Sequence, residues 1–362
     1  MPLEFLSRPH PSPASEAERA AVLADPGFGK HFTDHMAVAT WTKGQGWHDA
    51  GLVPYGPFQL DPAGAVLHYG QEIFEGLKAY RHADRSVWLF RPDANARRFA
   101  RSAERLGLPT LDVDDFVAAL LALVRVDEAW VPEGGGEESL YLRPFMFANE
   151  SFLGVRPAHN VTFAVIACPV GPYFAGGVAP VDIWITTSYS RAGTGGTGAA
   201  KCGGNYASSL VAQAEAYEHG CSQVLFTDAA THGWLEELGG MNVFLVYADG
   251  TLATPPTSGT ILDGITRSSI LQVAGSVGLT AVERPLSLSE MAAAIEDGSV
   301  VEAFACGTAA VITPIGSFKR AEGDPLVLTH PSGEKTLALR NLLLDIQSGR
   351  AADPYGWRVR VC

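Results

Sequence analysis

Positive charge is scarce in this chain: its 362 residues hold 26 Lys and Arg against 39 Asp and Glu, a formal net charge of −13. Nucleic acid and anionic membrane surfaces both recruit proteins through positive charge, so neither is expected as the main partner. A small anion gripped by a few placed arginines stays open. Long apolar runs are lacking as well, and no stretch approaches the roughly 18 residues that a membrane span needs. Residues 1–25 are rich in Pro, Ala and charge, lack the apolar segment of a signal peptide, and read as a partly ordered arm. The five cysteines (Cys168, Cys202, Cys221, Cys306 and Cys362) are scattered, and none forms a C-x-x-C pair. Neither a disulfide framework nor a metal site is therefore expected, and a reducing cytoplasm fits best. What is abundant is apolar side chain: 47% of residues are hydrophobic and only 18% charged, enough for a sizeable core. The length suggests about two domains.

Periodicity places strands at 37–41, 87–90, 139–148 and 160–169, and helices at 94–106 and 113–126. In the first helix Phe99, Ala103 and Leu106 share one face; Arg98 lies beside it, whereas Arg97, Arg101 and Arg105 stack elsewhere. Around Gly171–Gly177 the composition turns to Gly and Pro, the mark of a domain junction. Strands then follow at 181–188, 223–227, 233–238, 241–247 and 301–312, with helices at 206–218, 266–277, 288–295 and 337–348. The class is mixed α and β. The expected division is an N-terminal arm 1–27, a small domain 28–172, an interdomain loop 173–181 and a large domain 182–362.

Lysine occurs six times, and Lys201 differs from the others. It follows Gly193-Thr194-Gly195-Gly196-Thr197-Gly198-Ala199-Ala200 and precedes Gly203-Gly204-Asn205. Small neighbours let a flat ligand approach closely and leave little to solvate an ammonium, so such a lysine loses its proton more readily and can attack an aldehyde. A flexible loop with one surface lysine would share this composition. A phosphate-binding loop of the G-x-x-x-x-G-K-[ST] type is excluded, because Ala200 precedes the lysine and Cys202 follows it.

The stretch Gly198 to Tyr206, followed by Gln213-Ala214-Glu215-Ala216, resembles the lysine segment of branched-chain aminotransferases, which are fold-type IV pyridoxal-phosphate enzymes. Phe32-Thr33-Asp34-His35-Met36, Leu67 to Tyr80, Arg101-Ser102-Ala103 to Leu108-Pro109, and Tyr141-Leu142-Arg143-Pro144 agree in the same order. So do Glu237 to Asn242 and Gly264-Ile265-Thr266-Arg267. The resemblance runs from about Phe28 to the last helix. It implies a two-domain fold with the cofactor, pyridoxal 5'-phosphate, at the domain interface. It also implies reversible transfer of the amino group of leucine, isoleucine or valine to 2-oxoglutarate.

By the same resemblance Lys201 would carry the cofactor as a Schiff base and then shuttle a proton, while Glu237 would face the pyridine nitrogen. Glu236, its neighbour on a strand, would point to the opposite face. Tyr206 would bond the phenolate oxygen. Arg98, the amides of Ile265 and Thr266, and Thr308 would hold the phosphate; for the amides this agrees with the pull of a helix N-terminus on an anion. Phe32, Phe74, Tyr141 and Tyr173 would line the side-chain pocket, with Leu153 and Val155 supplied by a second subunit, which makes a homodimer the expected partner state. The α-carboxylate would meet the amides of Gly240 and Ala309. Arg143 with Tyr69 would take the second carboxylate of glutamate. Two departures stand out: Ala310 and Thr313 occupy the places of a redox C-x-x-C found in some relatives, which excludes a thiol switch there, and Gly240 replaces a threonine. A D-amino-acid aminotransferase or aminodeoxychorismate lyase would share the fold, but they match the quoted stretches weakly. A non-catalytic anion- or nucleotide-binding module would need the phosphate-loop pattern that is missing.

Overall fold

A computed structural model describes residues 2–8, 10–134, 137–172 and 177–362. The chain divides into two compact units: Met1–Ala175, Ala200–Gly203 and Asp345–Cys362 form one, and Gly176–Ala199 and Gly204–Leu344 the other. This differs from the contiguous division expected from the sequence. The last strand, Arg358–Arg360, pairs antiparallel with Val87–Phe90, and so returns the C-terminus to the first unit. Ala200 and Cys202 are both 2% exposed within the first unit's core, which draws Lys201 there too.

The first unit is built on an antiparallel sheet in the order Arg358–Arg360, Val87–Phe90, Leu77–Arg81, Ser139–Ala148, Asn160–Val170, His35–Thr42 and Gly46–Pro54. Glu72–Phe74 lies beside Ser139–Ala148. The helices Pro92–Arg105 and Val113–Val126 are amphipathic and send Phe99 and Phe116 against Phe163 of the sheet, with ring centroids 5.2–6.1 Å apart. Asp127, 2% exposed, accepts from the His35 amide at 2.9 Å and its Nδ1 at 2.7 Å. Asp34 accepts from Trp130 Nε1 at 2.8 Å. The Thr33 amide donates to Ala167 at 3.0 Å. The motif Phe32–Met36 is thus a structural clasp that fixes where Phe32 stands. The expected arm also has order of its own, the helix Glu16–Ala24, closed by a capping box between Ser15 and Glu18.

The second unit has a mixed sheet in the order Leu235–Leu238, Gln223–Thr227, Val181–Ile185, Val311–Lys319, Val300–Gly307, Asn242–Tyr247, Thr251–Thr254 and Thr280–Glu283. The single strand expected at 301–312 is in fact two. Val300–Gly307 and Val311–Lys319 pair antiparallel, Gly307 opposite Val311, around the turn at 308–310. Val311 takes φ of 61° to make that turn. The apolar run continues straight through, so hydrophobicity does not reveal the reversal. Likewise the helix expected at 206–218 is two, Gly203–Ala207 and Leu210–Glu218. Among the described residues no helix is long and apolar enough to cross a membrane.

Candidate active site

In the first unit Lys201 is held by its main chain. Its amide donates to Ser102 Oγ at 2.9 Å, and its carbonyl accepts from the Phe74 amide at 2.9 Å. With Ala200 and Cys202 buried on either side, the backbone has one position and the side chain leaves it toward Phe74, whose ring centre lies 4.8 Å from Nζ. Two residues on, the Gly203 amide donates to Glu72 Oε1. The expected close approach of small residues is therefore realised as a short inserted segment rather than a flexible loop.

Arg98 points inward as expected and is 4% exposed. Its Nε and Nη2 reach the two oxygens of Glu75 at 2.7 and 2.8 Å, and Asn95 Nδ2 adds a third bond to that carboxylate at 2.7 Å. Glu75 is fully buried. Burial alone would raise its pKa, but Arg98 first, and Lys201 and Asn95 after it, hold it below the ordinary value. Nothing in the sequence signals this pair, although Glu75 sits inside the Leu67–Tyr80 motif.

Three of the aromatics expected around the substrate, Phe32, Phe74 and Tyr141, lie near Arg143 in the first unit. Arg143 lies 4.8 Å from the Phe74 ring centre and 5.4 Å from that of Tyr141, and its Nη2 donates to the Tyr141 hydroxyl at 3.1 Å. Phe32 packs on the cluster of Tyr141, Cys168 and Val170. Tyr173 lies outside the described residues. Gly76 is required by this packing, because a Cβ there would fall on the Tyr141 hydroxyl. A Gly76→Ala variant should displace the Tyr141 ring at an overpacking cost of about 1–3 kcal/mol. Steady-state kinetics should show the substrate KM raised about tenfold, the equivalent of ~1.4 kcal/mol; an unchanged KM would show that Tyr141 does not face the substrate.

Tyr69 goes elsewhere. Its hydroxyl donates to the Leu153 carbonyl, on a face where Leu67, Tyr69, Phe152, Leu153 and Val155 are 58, 43, 40, 59 and 83% exposed. Among the described residues, Arg143 is partnered by Tyr141 and Phe74 rather than by Tyr69. Within this chain, then, Tyr69 bonds Leu153, and Arg143 bonds Tyr141.

In the second unit Glu237 is 3% exposed. Its Oε1 accepts from Arg191 and from the Leu262 amide at 2.9 Å, and its Oε2 from Asn242 Nδ2 at 3.1 Å. Arg191 Nη2 also donates to the carbonyls of Gly198 and Thr260 at 2.9 and 3.1 Å. Neither Arg191 nor Asn242 was singled out from the sequence; Asn242 stands within the matched Glu237–Asn242 stretch, and Arg191 two residues before the glycine run. A Cβ on Gly264 would collide with Asn242 Oδ1, so this glycine lets the amide reach Glu237. Glu236 has different partners, as strand alternation predicts, although the pairing is irregular between Leu235 and Leu238.

Ile265 opens the helix Ile265–Val273 behind Gly264, and Thr266 is 8% exposed near its start. Thr308 and Ala309 lie half-buried in the turn after Val300–Gly307. Gly240 faces Tyr206: a Cβ there would sit 3.6 Å from Cε1 of the tyrosine, an ordinary contact. Among the described residues no His, Cys, Asp and Glu cluster could hold a metal ion.

Comparison with known proteins places the chain in a family. The family model for class IV amino-transferases matches residues 72–318, more than half of the chain. A probable branched-chain-amino-acid aminotransferase of Streptomyces coelicolor is 56% identical over 350 residues, 97% of this chain and 96% of that one. Among solved structures, the branched-chain aminotransferase of Thermoproteus uzoniensis with norvaline superposes with a TM-score of 0.74 at 28% identity, covering 90% of this chain and 100% of that one. The T.th. branched-chain amino acid aminotransferase with pyridoxamine 5'-phosphate gives a TM-score of 0.72 at 27% identity, covering 90% and 99%.

Proposed function

Because the chain belongs to the class IV amino-transferases, and within them to the branched-chain-amino-acid aminotransferases, we propose that the two groups of residues described above divide the work of one transamination. The enzyme is pyridoxal-phosphate-dependent, and it moves the amino group of leucine, isoleucine or valine to 2-oxoglutarate, giving branched 2-oxo acids and glutamate. The residues present suit that cofactor. The first unit has a lysine anchored among small buried neighbours and a buried arginine. The second has a buried carboxylate with donors on both oxygens and a helix N-terminus after Gly264.

Pyridoxal phosphate supplies an electron sink for the charge that develops when the substrate Cα loses its proton. Lys201 Nζ would hold the cofactor and, once displaced by the substrate amine, would take up that proton as a free amine. Glu237, fixed by Arg191, Asn242 and the Leu262 amide, holds the proton of the ring nitrogen, and Tyr206 donates to the phenolate oxygen. Arg98, Thr308 and the amides of Ile265 and Thr266 bind the phosphate. Phe32, Phe74 and Tyr141 exclude water around the branched side chain, while the amides of Gly240 and Ala309 orient the α-carboxylate. Arg143, whose Nε is buried without a partner among the described residues, receives the second carboxylate of glutamate. The observation that carries this reading is the anchoring of Lys201 beside Phe74 and Glu75. Absorbance of the purified protein tests it. A visible band should disappear with L-leucine and return with 2-oxoglutarate; a band that ignores leucine discards the substrate assignment, and no band after added pyridoxal phosphate discards Lys201.

The exposed face of Tyr69, Leu153 and Val155 supports a homodimer in which each chain lends these residues to its partner's pocket. A Val155→Glu variant should sediment as a monomer with little activity, whereas a fully active monomer refutes the shared pocket. The five thiols, none of them in a disulfide, suit a cytoplasmic location.

A further inference from the structure

Glu236 has no part in the chemistry above, yet it is 6% exposed and its Oε2 has no hydrogen-bond partner among the described residues. It lines a cavity of about 580 Å³ within the second unit, walled by Trp234, Leu235, Pro255, Pro256, Ile261 and Pro285. That volume is in the range of small-molecule sites, and mostly apolar walls with one placed polar group are their usual make-up. None of the residues assigned to cofactor or substrate lines it.

The charge inside is negative. Asp228 also lines the cavity; its oxygens are engaged by Thr231 and by the amides of Ala230, Thr231, Gly233 and Trp234, which fix it in place without neutralising it. The cation that acts on Glu236, Arg191, is already paired with Glu237. Thr260 hydrogen-bonds the Glu236 carboxyl. Burial pushes that carboxyl above its ordinary value, and Asp228 adds to the rise. An arriving cation with an N–H would compensate the buried charge, and Trp234 offers an aromatic face for it.

We propose that this cavity binds a compact apolar ammonium ion, an amine without a carboxylate, whose N–H donates to Oε2 of Glu236 while its hydrocarbon part packs against Trp234 and the three prolines. Amino acids and 2-oxo acids are disfavoured there, because Glu236 and Asp228 repel their carboxylates. The site is therefore selective against the very molecules the enzyme transaminates.

The test uses the holoenzyme and N,N-dimethyl-3-methylbutylamine, a tertiary amine that is protonated at neutral pH and cannot condense with the cofactor's aldehyde. Titration calorimetry should show one saturable site per chain that persists with 4-methylpentanoate filling the substrate pocket. Glu236→Gln should weaken the amine at least tenfold, and Ala230→Trp, at an exposed cavity residue, should abolish binding. Both variants should fold. Glu236→Gln removes a carboxyl whose ionisation is penalised by burial, so it should be at least as stable as the parent at neutral pH, with the difference fading as the pH falls below the ordinary glutamate range. No saturable heat, displacement by 4-methylpentanoate, or an affinity indifferent to both substitutions overturns the proposal.

Discussion

Replacing Lys201 by alanine is expected to lower the rate of transamination by about 10⁴-fold or more, since the nucleophile and the proton carrier are lost together. The fold should not suffer. The amide and carbonyl of Lys201 keep their bonds to Ser102 and Phe74, and Ala200 and Cys202 keep their places in the core, whatever side chain stands between them. Lys201→Arg separates two explanations. It restores a cation beside Glu75 but cannot give up its proton, so it should be as inactive as the alanine variant. Single-turnover absorbance with leucine measures both. Turnover within tenfold of the parent in either variant would move the chemistry to another residue.

The second large effect is on stability. Glu75→Gln leaves the guanidinium of Arg98 buried without its counter-charge, and breaking such a pair costs about 3–5 kcal/mol. For a chain of this size that is a fall in Tm of roughly 5 °C. The pH dependence carries the signature. Glu75 has its pKa depressed in the folded protein, mainly by Arg98 acting against burial, so its contribution is complete above the unfolded glutamate value and is lost as the pH falls through the folded one. Parent and variant should therefore converge in acid. A constant difference in Tm between pH 7 and the acid limb would mean that the pair's charge is not what stabilises this part of the fold. An Arg98→Met, Glu75→Met double variant should recover much of the loss, because removing both charges leaves no ion unpaired.

These two residues also mark where sequence reasoning stops. That Arg98 turns inward could be read from its position beside Phe99 on a 3.6-residue period. That Lys201 sits where a backbone must be approached closely could be read from its small neighbours. The strands Val87–Phe90 and Ser139–Ala148 and the helix Val113–Val126 were legible to the residue, since each is a clean apolar pattern bounded by turn signals. Partners are another matter. Glu75 meets Arg98 across 23 positions and Arg191 meets Glu237 across 46, and no local period encodes such pairings. The reversal at 308–310 was hidden for a related reason: its Thr-Ala-Ala carries neither Gly nor Pro, and the backbone strain falls on Val311, a residue rarely found at positive φ. Within the chain Tyr69 bonds Leu153 rather than Arg143, because a motif reports that residues belong together in a family, not that they meet within one chain.

The pairing of Arg358–Arg360 with Val87–Phe90 joins residues about 270 positions apart, and Tyr80 donates to Gln347 over a similar span. During synthesis the first unit emerges early but lacks its edge strand until the second unit has been made. The closing step at that edge therefore waits for the second unit and bears the loop entropy of that entire intervening unit. A nascent chain stalled before residue 345 would expose the open rim of Val87–Phe90, the kind of unpaired strand edge that chaperones engage and that drives aggregation when they do not.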